Sequence, residues 1–237
     1  MPSLYRALSS QRTSGEEKKH HRDDRRTPQN VPYVVDNLWE WARPDGMPSR
    51  RGCAYASPTP ELAKENAGNG PLDIFQLVEI APDSILIQIP PSDAKRHSDI
   101  EPDKDNGKPG LRSILLELLK EHYFRKSQRL PADQELSDEQ KAEFRDAVGW
   151  AGLPFAIKME AAPLFLPAVN PDELQALLGP GGPLESIASK LKGAVGIWKE
   201  AKLVSLAASE LPYPDGEVFY SADTKLKKVL VPMDVAL

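Results

Sequence analysis

Three short segments of the chain carry polar side chains that could bind one ligand together. Arg6 lies in the apolar stretch 4–8 (LYRAL), Ser57 lies in the stretch 55–60 (YASPTP), and Glu217 follows a proline-containing loop. A guanidinium binds a phosphate through two parallel hydrogen bonds, and a hydroxyl can orient a carboxylate. A carboxylate at the mouth of a strand lies where a rigid scaffold presents chemistry. The three segments therefore predict a site for a ligand that carries phosphate and sugar groups.

Each of these residues also has a purely structural interpretation. On local sequence alone, Arg6 is better explained as a surface residue of an edge strand. Thr59 is explained as the N-cap of a helix that begins at Pro60, and this explanation leaves the role of Ser57 open. Residues 50–51, both arginines, could meet phosphates, but a solvated turn is the default expectation for them.

The loop before Glu217 offers two further candidate contacts. Asp215 precedes Glu217 by two residues, and on a strand this spacing puts both carboxylates on one side. The alternative is that Asp215 and the glycine after it form an ordinary turn. Tyr213 lies between two prolines, either as an exposed aromatic that contacts a partner or as a cover over the core.

The composition limits the class of protein. The chain has 237 residues, of which 40% are hydrophobic and 27% are charged, close to ordinary globular values. Its 23 prolines argue against a helical bundle. A net charge of -5 disfavours nonspecific nucleic-acid binding by the whole surface. Cys53 is the only cysteine, so no intrachain disulfide can form and a reducing compartment is indicated.

The ends and the histidines of the chain suggest where it acts. No secretory signal follows Met1, and no apolar run approaches the roughly 20 residues that cross a bilayer. We therefore expect a cytoplasmic protein without a membrane partner, and delivery into a target cell without a signal peptide stays an alternative. His20 and His21 have only two other histidines and one cysteine to join them, so we expect no metal site.

Hydrophobic periodicity predicts the elements that must position these residues. Strands are predicted over 4–8, 53–57, 73–80, 84–89 and 160–166, and from Glu217 onward as a β-hairpin. Helices are predicted over 38–42 (capped by Asp36), 60–67, 111–126, 137–148, 171–178 and 183–198. We expect one α+β domain over residues 1–237, with a mobile charged loop over 9–30 and a mainly helical insertion over 91–200.

In this order the three segments resemble the ADP-ribosyltransferase superfamily, in its arginine–serine–glutamate branch. Residues 4–6 look like its first strand, and residues 55–59 look like its aromatic-x-Ser-Thr-Ser strand. The stretch 217–229 is similar to its Glu-Val-Leu, turn, Thr-Lys-x-x-Val ending. The chain departs from the family where Pro58 replaces the central threonine and where Asp215 replaces a Glu or Gln.

The resemblance implies a split β-sheet core, NAD as cosubstrate and transfer of ADP-ribose to an unidentified protein or nucleic-acid acceptor. It implies that Glu217 stabilises the sugar cation, that Ser57 donates a hydrogen bond to Glu217, and that Arg6 holds the diphosphate. Tyr55 and Thr59 would join them in binding NAD. Tyr213 and Asp215 would recognise the acceptor.

Three functions stay open at this point. The first is an ADP-ribosyltransferase of the toxin or effector kind, for which a neutralising partner protein is a further expected partner. The second is an NAD glycohydrolase on the same fold, in which water replaces the acceptor. The third is a noncatalytic interaction module, which the proline-rich loops and the charged insertion would suit.

Overall fold

The protein is α+β, as the sequence predicts. The structure, a computed structural model, describes residues 2–11, 17–20, 30–67, 69–101, 107–131, 134–146, 159–221 and 224–229. Two compact units divide the chain. The first comprises Met1–Arg26, Pro44–His97 and Lys199–Leu237, and the second comprises Thr27–Arg43 and Ser98–Trp198. Compactness alone does not define a separately folding domain, so the single domain over 1–237 stays a prediction.

The strands of the first unit form two antiparallel sheets of four strands each. In the order in which they pair, the first sheet contains β1 (Tyr5–Ser9), β4 (Leu72–Ile80), β8 (Thr224–Val229) and β2 (Glu17–His20). The second sheet contains β3 (Ala54–Ala56), β7 (Val218–Ser221), β5 (Ile85–Gln88) and β6 (Lys202–Val204). An isolated bridge between Tyr5 and Ser57 joins the edge of one sheet to the edge of the other.

Side chains from both sheets share one buried apolar cluster. Side chains alternate along a strand, so residues two apart, such as Phe75 and Leu77 or Val218 and Tyr220, enter this cluster together. The fully buried members include Phe75, Leu77 and Leu226 from the first sheet and Leu86, Val218 and Tyr220 from the second. The cluster takes the face of β7 that carries Val218 and Tyr220, so Phe219, which is also buried, points to the opposite face.

Several predicted elements of the first unit are confirmed. β1, β3, β4 and β5 lie within a residue or two of the predicted strands. The helix α2 (Pro60–Glu65) begins with proline at its first turn, and the Thr59 hydroxyl accepts the Leu62 N–H at 3.2 Å. Thr59 is therefore the N-cap of α2, as its structural interpretation requires.

The named elements of the second unit are helical. They are α1 (Tyr33–Trp41), α3 (Leu111–Gln128), α4 (Asp138–Asp146), α5 (Pro171–Leu178) and α6 (Glu185–Ala194), and α7 (Ile197–Glu200) begins in this unit. α3 buries Leu111, Leu115, Leu119 and Tyr123, which lie four residues apart on one face. The described residues contain no helix that is long and apolar enough to span a membrane.

Two predictions for helices are wrong at their ends. The helix expected over 183–198 is interrupted, because the N–H groups of Gly196 and Ile197 donate to the buried carboxylate of Asp99 at 3.0–3.1 Å instead of continuing the helix. The helix expected over 38–42 begins five residues earlier, at Tyr33. Asp36 is therefore a buried residue inside α1 and does not cap it.

The strand expected over 160–166 is also wrong. Residues Ala162–Phe165 form a 3₁₀ helix that contains Pro163 at its first turn. Proline has no N–H to donate to a sheet and its φ suits a helix start, so the apolar residues around it pack as a helical turn.

Two further predictions fail because strand pairing is long-range. Residues Glu17–His20, expected within the mobile loop over 9–30, form an edge strand paired with β8. Charged residues are typical of edge strands, which explains why this segment lacks an apolar pattern. The expected hairpin after Glu217 does not form, since β7 pairs with β3 and β5 while β8 pairs with β4 and β2. The turn at 222–223 lies outside the described residues.

Candidate functional site

Glu217 lies directly before β7 and is held by the backbone on both sides. Its N–H donates to Pro91 O at 2.8 Å, and its carbonyl accepts from Ile89 N at 3.0 Å. The carboxylate is buried: Oε2 accepts the Ala94 N–H at 3.1 Å and lies 3.7 Å from Nη2 of Arg50. A buried carboxylate is costly unless it is hydrogen-bonded and paired, and Glu217 meets both conditions.

Arg50 supplies the positive charge at this site. It belongs to the 3₁₀ turn Arg50–Gly52 that precedes β3, and it is buried. Its guanidinium lies 5.3 Å from the ring centroid of Tyr55 and 5.5 Å from that of Phe219, two residues paired across β3 and β7. The Tyr55 hydroxyl donates to Arg50 O at 2.8 Å. Two aromatic rings and a carboxylate therefore fix the guanidinium in one orientation.

The solvated turn expected for residues 50–51 is wrong, because both arginines are buried. Arg50 is thus a buried residue of the site, although its charge predicts a solvated position. The available sequence signal was weak: two adjacent arginines immediately before a strand, with an acidic partner far along the chain. A local pattern cannot identify a partner 167 positions away, and the pairing follows only from the register of β3 with β7.

Ser57 follows β3 and Glu217 precedes β7. The last residue of β3, Ala56, pairs with the first residue of β7, Val218, so Ser57 and Glu217 flank the same end of this strand pair. The Ser57 backbone exchanges two 2.8 Å hydrogen bonds with Tyr5. Its hydroxyl accepts from Asn66 Nδ2 at 3.5 Å rather than donating to Glu217. The Glu217 carboxylate contacts the Ala94 N–H and Arg50.

Arg6 contacts the face of the second sheet that carries Tyr220, not the face that carries Phe219. Its Nη1 donates to the hydroxyl of Tyr220 at 3.4 Å, and the side chain is half-buried. Tyr220 belongs to the apolar cluster, and alternation along β7 puts it on the face opposite to Glu217 and Phe219. The structure therefore brings the Ser57 and Glu217 strands together but leaves Arg6 in contact with Tyr220.

The loop before Glu217 is a turn. This favours the interpretation of Asp215 and Gly216 as an ordinary turn over the one in which Asp215 and Glu217 share one side of a strand. The Gly216 N–H donates to Tyr213 O at 3.3 Å, and Asp215 in this turn is exposed. Gln88 ties the turn to β5, since its amide donates to Tyr213 O at 2.6 Å and to Gly216 O at 2.9 Å. A Cβ on Gly216 would lie 2.2 Å from Ile89 O, so only glycine fits there.

Tyr213 is half-buried, and its hydroxyl and its backbone N–H both form hydrogen bonds within the first unit. Its hydroxyl donates to Glu200 O at 2.6 Å, and its N–H donates to Gln88 Oε1 at 2.9 Å. It is therefore not a free exposed aromatic. Asp215 remains the acidic side chain of this loop that faces solvent.

Comparisons with known proteins find no match for this chain, so its geometry alone characterises the site. No protein-family model matches the chain, no curated protein matches it, and no solved structure matches it. Across the described residues, no cluster of three or more His, Cys, Asp or Glu side chains could hold a metal ion. What the arrangement offers chemically is a buried, fixed carboxylate with a stacked guanidinium at the start of a central strand.

Proposed function

We propose that the protein is an NAD-dependent ADP-ribosyltransferase, of the toxin or effector kind, that transfers ADP-ribose from NAD to a macromolecular acceptor. The observation that carries the proposal is the Glu217 carboxylate, buried and fixed at the start of β7, beside the strand end that carries Ser57. We assign the two four-stranded sheets to the split β-sheet core that this class of enzyme possesses.

The proposed reaction breaks the bond between the nicotinamide nitrogen and C1′ of the ribose. The bonding electron pair leaves with nicotinamide, and the ribose passes through an oxocarbenium-like transition state. A nucleophilic atom of the acceptor then bonds to C1′ and loses its proton to solvent. Glu217 stabilises the positive charge that develops on the sugar; losing one preorganised group that stabilises transition-state charge, such as an oxyanion-hole donor, costs about 10²–10³ in kcat.

The remaining roles follow from the groups beside Glu217. We assign to the Ser57 hydroxyl, which accepts from Asn66 Nδ2 at 3.5 Å, a reorientation toward the Glu217 side chain when ribose binds. Arg6 would hold the diphosphate, and Tyr55 and Thr59 would line the NAD side of the strand. Since Arg6 contacts the Tyr220 face, its role is tested separately: Arg6→Ala should weaken NAD binding, and an unchanged NAD affinity excludes that role.

One observation favours NAD hydrolysis as a second candidate. Tyr213, the aromatic expected to meet an acceptor, is held by its own hydroxyl to Glu200 O. Asp215 is then the exposed charged side chain of that turn that could select an acceptor. In the absence of a positioned acceptor, water bonds to C1′ and the product is free ADP-ribose.

Nicotinamide release from NAD distinguishes these functions. The full chain is incubated with NAD, with and without cell lysate, beside Glu217→Gln and the matched control Glu160→Gln, which alters a carboxylate paired with Lys126 at 3.1 Å. Release only with lysate indicates transfer, and release without lysate indicates hydrolysis. The proposal requires Glu217→Gln to lose turnover while Glu160→Gln keeps it. No release under either condition would overturn it in favour of a noncatalytic module.

A further inference from the structure

We propose that Arg50 is a positioning residue for Glu217: it keeps the Glu217 carboxylate charged and oriented toward the ribose without itself contacting NAD. This inference rests on the proposed function, since it assigns a role within the same reaction. It adds a basic residue that neither the three sequence segments nor their spacing includes.

The first support is geometric. Arg50 approaches the carboxylate with Nη2 at 3.7 Å from Oε2, the same oxygen that accepts the Ala94 N–H at 3.1 Å. A cation and an N–H donor on one oxygen restrict the rotation of the carboxylate. The rings of Tyr55 and Phe219 also lie 5.3 and 5.5 Å from the guanidinium carbon, so Arg50 has little freedom to move away.

The second support is burial. Only 3% of Arg50 and 7% of Glu217 are exposed. A carboxylate removed from water favours its protonated, neutral form unless a nearby cation offsets the loss of solvation. A neutral Glu217 could not stabilise a sugar cation. Arg50 lies beside the Glu217 carboxylate, so we assign its effect on the reaction to that carboxylate and not to direct contact with the diphosphate.

The third support is the choice of side chain. A planar guanidinium stacks on aromatic faces and stays charged in proteins, whereas a lysine ammonium is compact and more strongly hydrated. The backbone of Arg50 is also fixed, because its carbonyl accepts from the Tyr55 hydroxyl at 2.8 Å and from Cys53 N at 3.2 Å. These hydrogen bonds hold the positive charge of Arg50 in position before any ligand binds, as electrostatic catalysis requires.

Steady-state NAD turnover by Arg50→Gln, Arg50→Lys and Arg50→His tests the inference. Arg50→Gln should lower kcat at least about tenfold with KM for NAD nearly unchanged, and Arg50→Lys should recover part of the loss. Arg43→Gln, which alters an arginine paired with Glu40 at 3.2 Å, serves as the matched control. Melting temperatures are measured for each variant, and assays are run below the lowest of them.

Arg50→His keeps the test decisive where Arg50→Gln does not fold. An imidazole is charged near pH 5.5 and neutral near pH 8. The ratio of the kcat of Arg50→His to that of the wild type should therefore fall as the pH rises. A flat ratio, or an Arg50→Gln enzyme with wild-type kcat while Glu217→Gln is inactive, overturns the role of Arg50 alone. A fully active Glu217→Gln overturns the proposed function itself, so the two failures are distinguishable.

Discussion

The ion pair between Arg50 and Glu217 makes a quantitative prediction about stability that does not depend on function. The two charged atoms are 3.7 Å apart, and the side chains are 3% and 9% exposed. At an effective dielectric constant of about 20, Coulomb's law gives about 4.5 kcal/mol for their attraction. Removing one partner also leaves the other charge buried, so Glu217→Gln and Arg50→Gln should each lower the free energy of unfolding by about 3 kcal/mol.

The double variant should be less destabilised than the sum of the two single variants. Once both charges are gone, no uncompensated charge remains buried, and neutral replacements of a buried pair are often tolerated. We expect a coupling free energy of about 2–3 kcal/mol. The exposed pair of Arg96 and Glu65 is the control: its atoms are closer, at 2.6 Å, but its side chains are 44% and 52% exposed. Solvent screening should hold its coupling below about 1 kcal/mol.

Unfolding in urea must be followed by hydrogen exchange at the amides of β3 and β7 for this measurement, because these strands flank the ion pair. All four tryptophans of the sequence lie in the ranges of the second unit, whereas the ion pair lies in the first. Tryptophan fluorescence therefore reports on the wrong part of the chain and serves as an internal control. Additive single effects, or a coupling no larger than that of the exposed pair, would refute the reasoning.

Two further predictions concern the second unit. Asp99→Ala removes the acceptor for Trp39 Nε1 at 2.8 Å and for the N–H groups of Gly196 and Ile197. It should lower the free energy of unfolding, monitored by tryptophan fluorescence, by about 4 kcal/mol. Asp99→Asn keeps one acceptor oxygen and should lower it less. Burial lowers the pKa of His122, so the folded state favours neutral imidazole. Stability from this group should be complete above about pH 6.5 and lost on acidification through the lower folded pKa, and a titration midpoint by NMR at or above 6.5 would contradict this.

Local patterns in the sequence predict much of the fold. The apolar residues of β4 and β5, the spacing of Leu111, Leu115 and Leu119, and the Thr59 N-cap each act over a few residues, and all are found in the structure. The α+β class follows from the order of these elements. Failures occur where the deciding contact is distant, as at Asp99, whose carboxylate ends one helix and starts another nearly a hundred positions later.

The candidate site divides in the same way. Glu217 was predicted because a carboxylate after a turn and before a strand is a local pattern. The position of Glu217 and Ser57 at the same end of two strands requires only that β3 and β7 pair. The burial of Arg50 could not be predicted, because charge normally indicates solvent, and the partners that reverse this expectation are supplied by β3 and β7 together. The contact of Arg6 with Tyr220 depends on strand alternation in two sheets at once.

Charge and position can be separated at Glu217 because different contacts determine them. The backbone is fixed by Pro91 O and Ile89 N, and the preceding Gly216 leaves no room for a side chain. These contacts set where the Cα of Glu217 lies, whatever its side chain carries. Arg50 and the Ala94 N–H act only on the carboxylate. Glu217→Gln therefore changes the charge while its backbone contacts persist, so a loss of NAD turnover in that variant, assayed below its melting temperature, would identify the carboxylate as the source of activity.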